Sequence, residues 1–187
     1  MAAFLGAVKI KPAVILTAIQ RGLRQSCAPE IQISYDSASA SINGGQNEDA
    51  FVPKQFTADE KTWTFSTARF PNSEDIAQSS VILPFPYQSS PLAKYVTLND
   101  MNYQAGKEHR NKFDTLSSHL LVNHNLYVSC QRLVEANDLI FHQTKKAHAN
   151  VPEKLLNAVD VVERVLVEER WNTLLSANAD LLDAMGG

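Results

Sequence analysis

Between Lys107 and Lys146 the apolar residues return with gaps of three, four and seven: Phe113, Leu116, Leu120, Tyr127, Cys130, Val134 and Phe141. Leu126, Leu133 and Ile140 widen this stripe at sevenfold spacing. Only a helix brings such positions onto one face, so one long helix is predicted over 107–146. Asn123 and Asn137 occupy the two missing places in the stripe. Asparagines in such places either set register or the number of partners, at a cost in stability, or line the wet end of the seam.

Pro152 ends that helix and starts another, predicted from Glu153 to about Ala184. Leu155, Val159, Val162, Leu166, Trp171, Leu174, Leu181 and Met185 make its stripe, with a phase drift of one residue near Val167. Asp160 and Arg164 form an i,i+4 pair on the opposite face. A turn over Ala147–Val151 folds the two helices antiparallel. Two helices bury too little apolar surface alone, so they need an N-terminal helix, the strands or another copy.

The charge order is the second constraint. Residues 1–29 hold Lys9, Lys11, Arg21 and Arg24, and all twenty acidic side chains lie beyond Pro29. Ala13–Arg24 is predicted helical, with Pro12 suited to its start and Ile15, Ile19 and Leu23 stacked at spacing four beside Leu16. A basic, acid-free amphipathic head reads either as a retained arm or as a mitochondrial presequence cut near Ser26. The net charge of −3 does not describe a nucleic-acid binder as a whole. If a polyanion is bound, Lys9, Lys11, Arg21, Arg24, Arg110 and Lys112 are the residues to neutralise it.

From Glu30 to Gly106 the helical period disappears. Ile31, Ile33 and Tyr35 alternate as a short strand, and Ser37–Gln46 is a small-residue loop with a turn at Asn43-Gly44. Lys61–Phe70 is predicted as a strand with Trp63 and Phe65 on one face. Asn72 or Ser73 caps a short helix through Leu83, and Pro84, Pro86 and Pro91 impose an extended path. So much irregular chain is unusual in a self-sufficient domain and suits a subunit that lies against neighbours.

Within this segment Gln55-Phe56-Thr57, Trp63 and Arg69-Phe70-Pro71-Asn72-Ser73 resemble the stretch before a core helix in coat proteins of rod-shaped plant RNA viruses. The resemblance is confined to residues 55–73. It implies a helical bundle that polymerises around RNA. The chain departs from that pattern in having one clear helix before the motif, where the family has two, and proline-rich chain after it.

Catalytic patterns are missing. There is no phosphate loop, GxGxxG, GxSxG or HExxH. His119 and His124 are five apart and do not share a helix face; all five histidines read as solvated or hydrogen-bonded. Cys130 sits in the apolar stripe and reads as inert core, and Cys27 beside Arg24 lacks a base. Two cysteines fit neither a disulfide framework nor a four-thiolate zinc site, and no apolar run is long enough to span a bilayer.

The expected fold is therefore mainly α: a C-terminal antiparallel helical hairpin packed with an N-terminal helix, plus an irregular middle with short β-strands. Three blocks follow, 1–29, 30–106 and 107–187, within one domain overall. The expected role is a non-enzymatic, self-associating structural subunit of a virion, without cofactor or metal. Its partners are further copies, neighbouring subunits or nucleic acid met by the basic arm; an imported accessory subunit of a mitochondrial complex is the alternative.

Overall fold

A computed structural model describes residues 2–5, 9–36, 49–70, 85–101, 113–143, 147–168 and 171–186. The predicted loop over Ser37–Gln46 and the short helix from Asn72 to Leu83 lie outside them. The fold is mainly α with short strands, as the sequence predicts. It forms two compact units, each assembled from segments distant in sequence: residues 1–37, 54–64 and 132–187 in one, and residues 38–53 and 65–131 in the other.

In the first unit, strand β1 (Ala2–Leu5) pairs in parallel with β2 (Ile33–Asp36). Between them runs helix α1 (Ile10–Ser26), with Pro12 in its first turn, where no needed hydrogen bond is lost. Its buried face is Ile10, Ala13, Val14, Ala18 and Gly22. The stripe of Ile15, Ile19 and Leu23 proposed from the sequence is only half-buried. The reason is the partner: α1 packs on helix α3 (Glu153–Val165), and small residues bring the two backbones close. A Cβ added at Gly22 would lie 2.5 Å from Leu166 Cδ1 and 3.0 Å from its Cβ. Across the same contact Arg21 Nε lies 3.5 Å from a Glu163 carboxylate oxygen.

Helix α3 buries Leu155, Ala158, Val159, Val161 and Val162. The single second helix expected from Glu153 to about Ala184 is instead three pieces: α3, α4 (Trp171–Ala177) and α5 (Ala179–Gly186). The first break falls where the apolar stripe drifts in phase near Val167. One straight helix cannot keep both halves of a drifting stripe against one core, so the chain stops and restarts. Trp171, placed in the stripe, is half exposed, whereas Met185 is buried. The Asp160–Arg164 pair forms at 3.9 Å, and Arg164 also reaches Glu168 at 2.9 Å.

In the second unit, β3 (Asp49–Val52) pairs antiparallel with β4 (Ser66–Arg69), with Phe51 opposite Thr67. The strand predicted over Lys61–Phe70 is shorter, because Glu60–Trp63 forms a 3-10 turn whose first amide hydrogen bonds go to Asp59. Phe70, Phe85, Leu98, Met101, Phe113 and Leu121 build the core of this unit around Ala50. Phe113 meets Phe70 edge-on at 5.9 Å between centroids.

Helix α2 (Thr115–Phe141) is the long helix of the sequence, starting later than Lys107 among the described residues. Asp114 precedes it and accepts from the Ser117 amide at 2.7 Å, satisfying one donor of the first turn. Thr115–Gln131 belongs to the second unit and Arg132–Phe141 to the first.

Candidate self-association surface on the long helix

The buried side of α2 is mostly polar: Ser117, Ser118, His124, Asn125 and Arg132, beside Leu121, Val128, Ala136 and Ile140. Burial of such groups is tolerated only with hydrogen bonds, and the backbone of the irregular segments supplies them. The Asn125 amide oxygen accepts from the Phe51 N–H at 2.7 Å, and its nitrogen donates to the Asp49 carbonyl at 2.9 Å. A ring nitrogen of His124, Nε2, lies 3.0 Å from the Phe51 carbonyl. These side chains occupy the edge of β3 not taken by β4 and stand in for a third strand.

His124 stacks on Tyr87 at 4.6 Å and 15°, with Phe85 at 5.7 Å. Burial pushes its pKa down, against a smaller upward pull from the Phe51 carbonyl. Tyr87 is pushed up, first by burial and then by the Asp49 charge.

In the first unit Arg132 does for residues 54–62 what Asn125 does for β3. It is 3% exposed and donates to the carbonyls of Lys54 and Thr62, while its guanidinium lies 3.4 Å from the centroid of Phe56. Burial pushes its pKa down to about 10, opposed by the Glu135 charge 3.9 Å away. Phe56 in turn packs on Trp63 at 4.3 Å, whose indole N–H donates to the carbonyls of Thr57 and Asn150.

With these polar groups turned inward, part of the apolar stripe faces water. Leu116 is 63% exposed, Leu126 51% and Val134 60%, and Cys130 is an exposed free thiol. This reverses the expectation that Cys130 is inert core. The predicted stripe is divided: Phe113 and Ile140 are buried, Leu120 and Tyr127 pack half-buried against core residues, and Leu116, Leu126, Cys130 and Val134 are exposed. Each large apolar side chain left in water forgoes about 1.5–3 kcal/mol of burial, and a row of them on one helix marks an interaction face.

The basic residues of the head are dispersed. Lys9 is exposed, Lys11 pairs with Glu60 at 2.6 Å, and Arg24 donates to the Ile31 carbonyl at 2.8 Å. The Arg21 guanidinium lies 4.8 Å from the centroid of Phe141 as well as beside Glu163. Arg110 and Lys112 lie outside the described residues. Glu60 is held below the usual carboxylate range, chiefly by its hydrogen bond from Lys11.

Open grooves lie among the described residues of the first unit. One is lined by Leu23, Cys27, Leu166 and Trp171, and its lining offers Cys27 neither imidazole nor amine. Another is lined by Arg21, Phe141, His148, Asp160 and Glu163, with His148 Nε2 3.2 Å from the Ile140 carbonyl. Among the described residues no group of three or more His, Cys, Asp or Glu side chains could hold a metal ion, and no helix is long and apolar enough to cross a membrane. Neither protein-family models, nor curated proteins, nor solved structures provide a match to this chain.

Proposed function

We propose that this protein is a non-enzymatic structural subunit that self-associates, and that its setting is a virion, as a coat, capsid or connector component. The observation that carries this reading is the orientation of α2. The helix spends its polar residues on its own fold and keeps Leu116, Leu126 and Val134 for something outside it. A row of exposed apolar side chains on one helix is where an assembling subunit gains its association energy. The virion setting draws on the Arg69-Phe70-Pro71 resemblance and on the irregular middle segment.

The packing of residues 10–26 agrees with this reading better than with a cleaved presequence. Helix α1 buries Ile10, Ala13, Val14 and Ala18, and it is the packing partner of α3. Cutting near Ser26 would strip that face from the unit. If nucleic acid is packaged, Lys9 and Arg24 are the head cations free of ion pairs to carboxylates among the described residues, since Lys11 and Arg21 already face Glu60 and Glu163.

The test is electron microscopy of the purified chain with and without single-stranded RNA. Regular particles or rods of many copies are expected. A dispersed single-chain species under both conditions contradicts the proposal.

A further inference from the structure

Leu116, His119, Asn123, Leu126 and Cys130 follow one another along α2 at gaps of three and four, and all five are exposed. Leu133 and Asn137 continue the same spacing. A repeat of 3.5 residues is matched best by a second helix of the same period, because only then does the seam stay in contact as the helices coil. From Leu116 to Asn137 these seven positions hold no Asp, Glu, Lys or Arg, so two copies meet without like charges opposed.

We infer that the face takes a second copy of this chain, the two α2 helices lying parallel and in register, with Cys130 of one against Cys130 of the other. This rests on the reading of α2 as the self-association face. Asn123 fixes the direction. It is exposed, and its Nδ2 donates to the His119 carbonyl at 2.9 Å, which leaves the second N–H of that nitrogen for a neighbour. In a parallel pair Asn123 of one copy faces Asn123 of the other, and the second N–H of one donates to the Oδ1 of the other. An antiparallel pair sets Asn123 against Leu126, Leu133 or His119 and leaves its polar atoms unmatched. A polar asparagine at such a seam position is a device that specifies register and partner number in coiled pairs.

The test uses diamide, which takes two hydrogens from two thiols as the disulfide forms, on the full-length Cys27→Ser variant. Cys27 is exposed, and serine replaces its thiol with a hydroxyl of similar size, so the substitution is expected to leave the fold intact. A dimer linked through Cys130, reversed by dithiothreitol, is expected to take up most of the chain. A second variant, Cys27→Ser with Cys130→Ser and His119→Cys, is expected to crosslink as well, since a parallel pair brings both positions to their own equivalents. Crosslinking at only one position indicates an antiparallel or shifted pairing and overturns the proposal. Crosslinking at neither, with light scattering still showing oligomers, overturns the parallel seam and leaves self-association standing. No crosslink and a single-chain mass defeat both.

Discussion

At the scale of single residues, the decisive feature is that hydrogen bonding outweighs hydrophobicity in choosing which side of α2 is buried. Asn125 satisfies two backbone groups of β3 that would otherwise lack partners. Replacing it with leucine keeps the number and branching of the side-chain heavy atoms but orphans the Phe51 N–H and the Asp49 carbonyl, which costs about 2–4 kcal/mol. Urea unfolding of Asn125→Leu checks this, and an unchanged midpoint contradicts it. His124 adds a pH dependence whose sign is fixed. Its folded pKa lies below the unfolded value, so the folded state carries fewer protons than the unfolded one. The full contribution is present above the unfolded pKa, near 6.5, and is lost as pH falls from there through the lowered folded value. The wild-type urea midpoint is therefore expected to fall between pH 7 and 5, and to fall less in His124→Asn. The sequence held a sign of this. Ser118, Asn125 and Arg132 recur at sevenfold spacing opposite the apolar stripe, and all three are buried. Reading apolar periodicity alone gives the helix correctly and its inner face only in part, because solvent-facing and core-facing polar residues look the same in a sequence.

At the scale of elements, the contact between α1 and α3 depends on Gly22. Alanine there gains about 1 kcal/mol of helix propensity, but its Cβ meets Leu166 too closely. Overpacking of this kind costs about 1–3 kcal/mol. Gly22→Ala is expected to destabilise the wild type and to stabilise a Leu166→Ala background, a reversal that a double-mutant cycle reads directly. Equal effects in both backgrounds would falsify the close contact. The Arg132 clamp belongs to the same scale. Arg132→Lys keeps the charge but cannot span the Lys54 and Thr62 carbonyls as the planar fork does. It is expected to lower stability by about 1–3 kcal/mol, with Trp63 fluorescence reporting loosening around Phe56. Helix existence was legible in the sequence for α1, α2 and α3, since amphipathic period and proline placement are local. Strand β1 was hidden in the acid-free head, because a strand that pairs with a segment some thirty residues away leaves little local pattern. The split of the last helix was legible only as a phase drift.

At the scale of the whole molecule, Thr115–Gln131 of α2 belongs to one compact unit and Arg132–Phe141 to the other, and Leu116, Leu126 and Val134 are left to solvent. The pattern of the seam was readable from spacing, and its availability was not, because exposure depends on which partners the irregular middle recruits. That availability is the centre of the functional reading. The measurement that bears on it most directly is light scattering of the wild type beside a Leu116→Lys/Leu126→Lys variant over a wide range of concentration. Both substituted side chains are exposed, so the variant is expected to keep its helical circular dichroism and melting temperature. The account predicts a multiple of the single-chain mass for the wild type and the single-chain mass for the variant. Identical masses for the two, whether single or multiple, would contradict it.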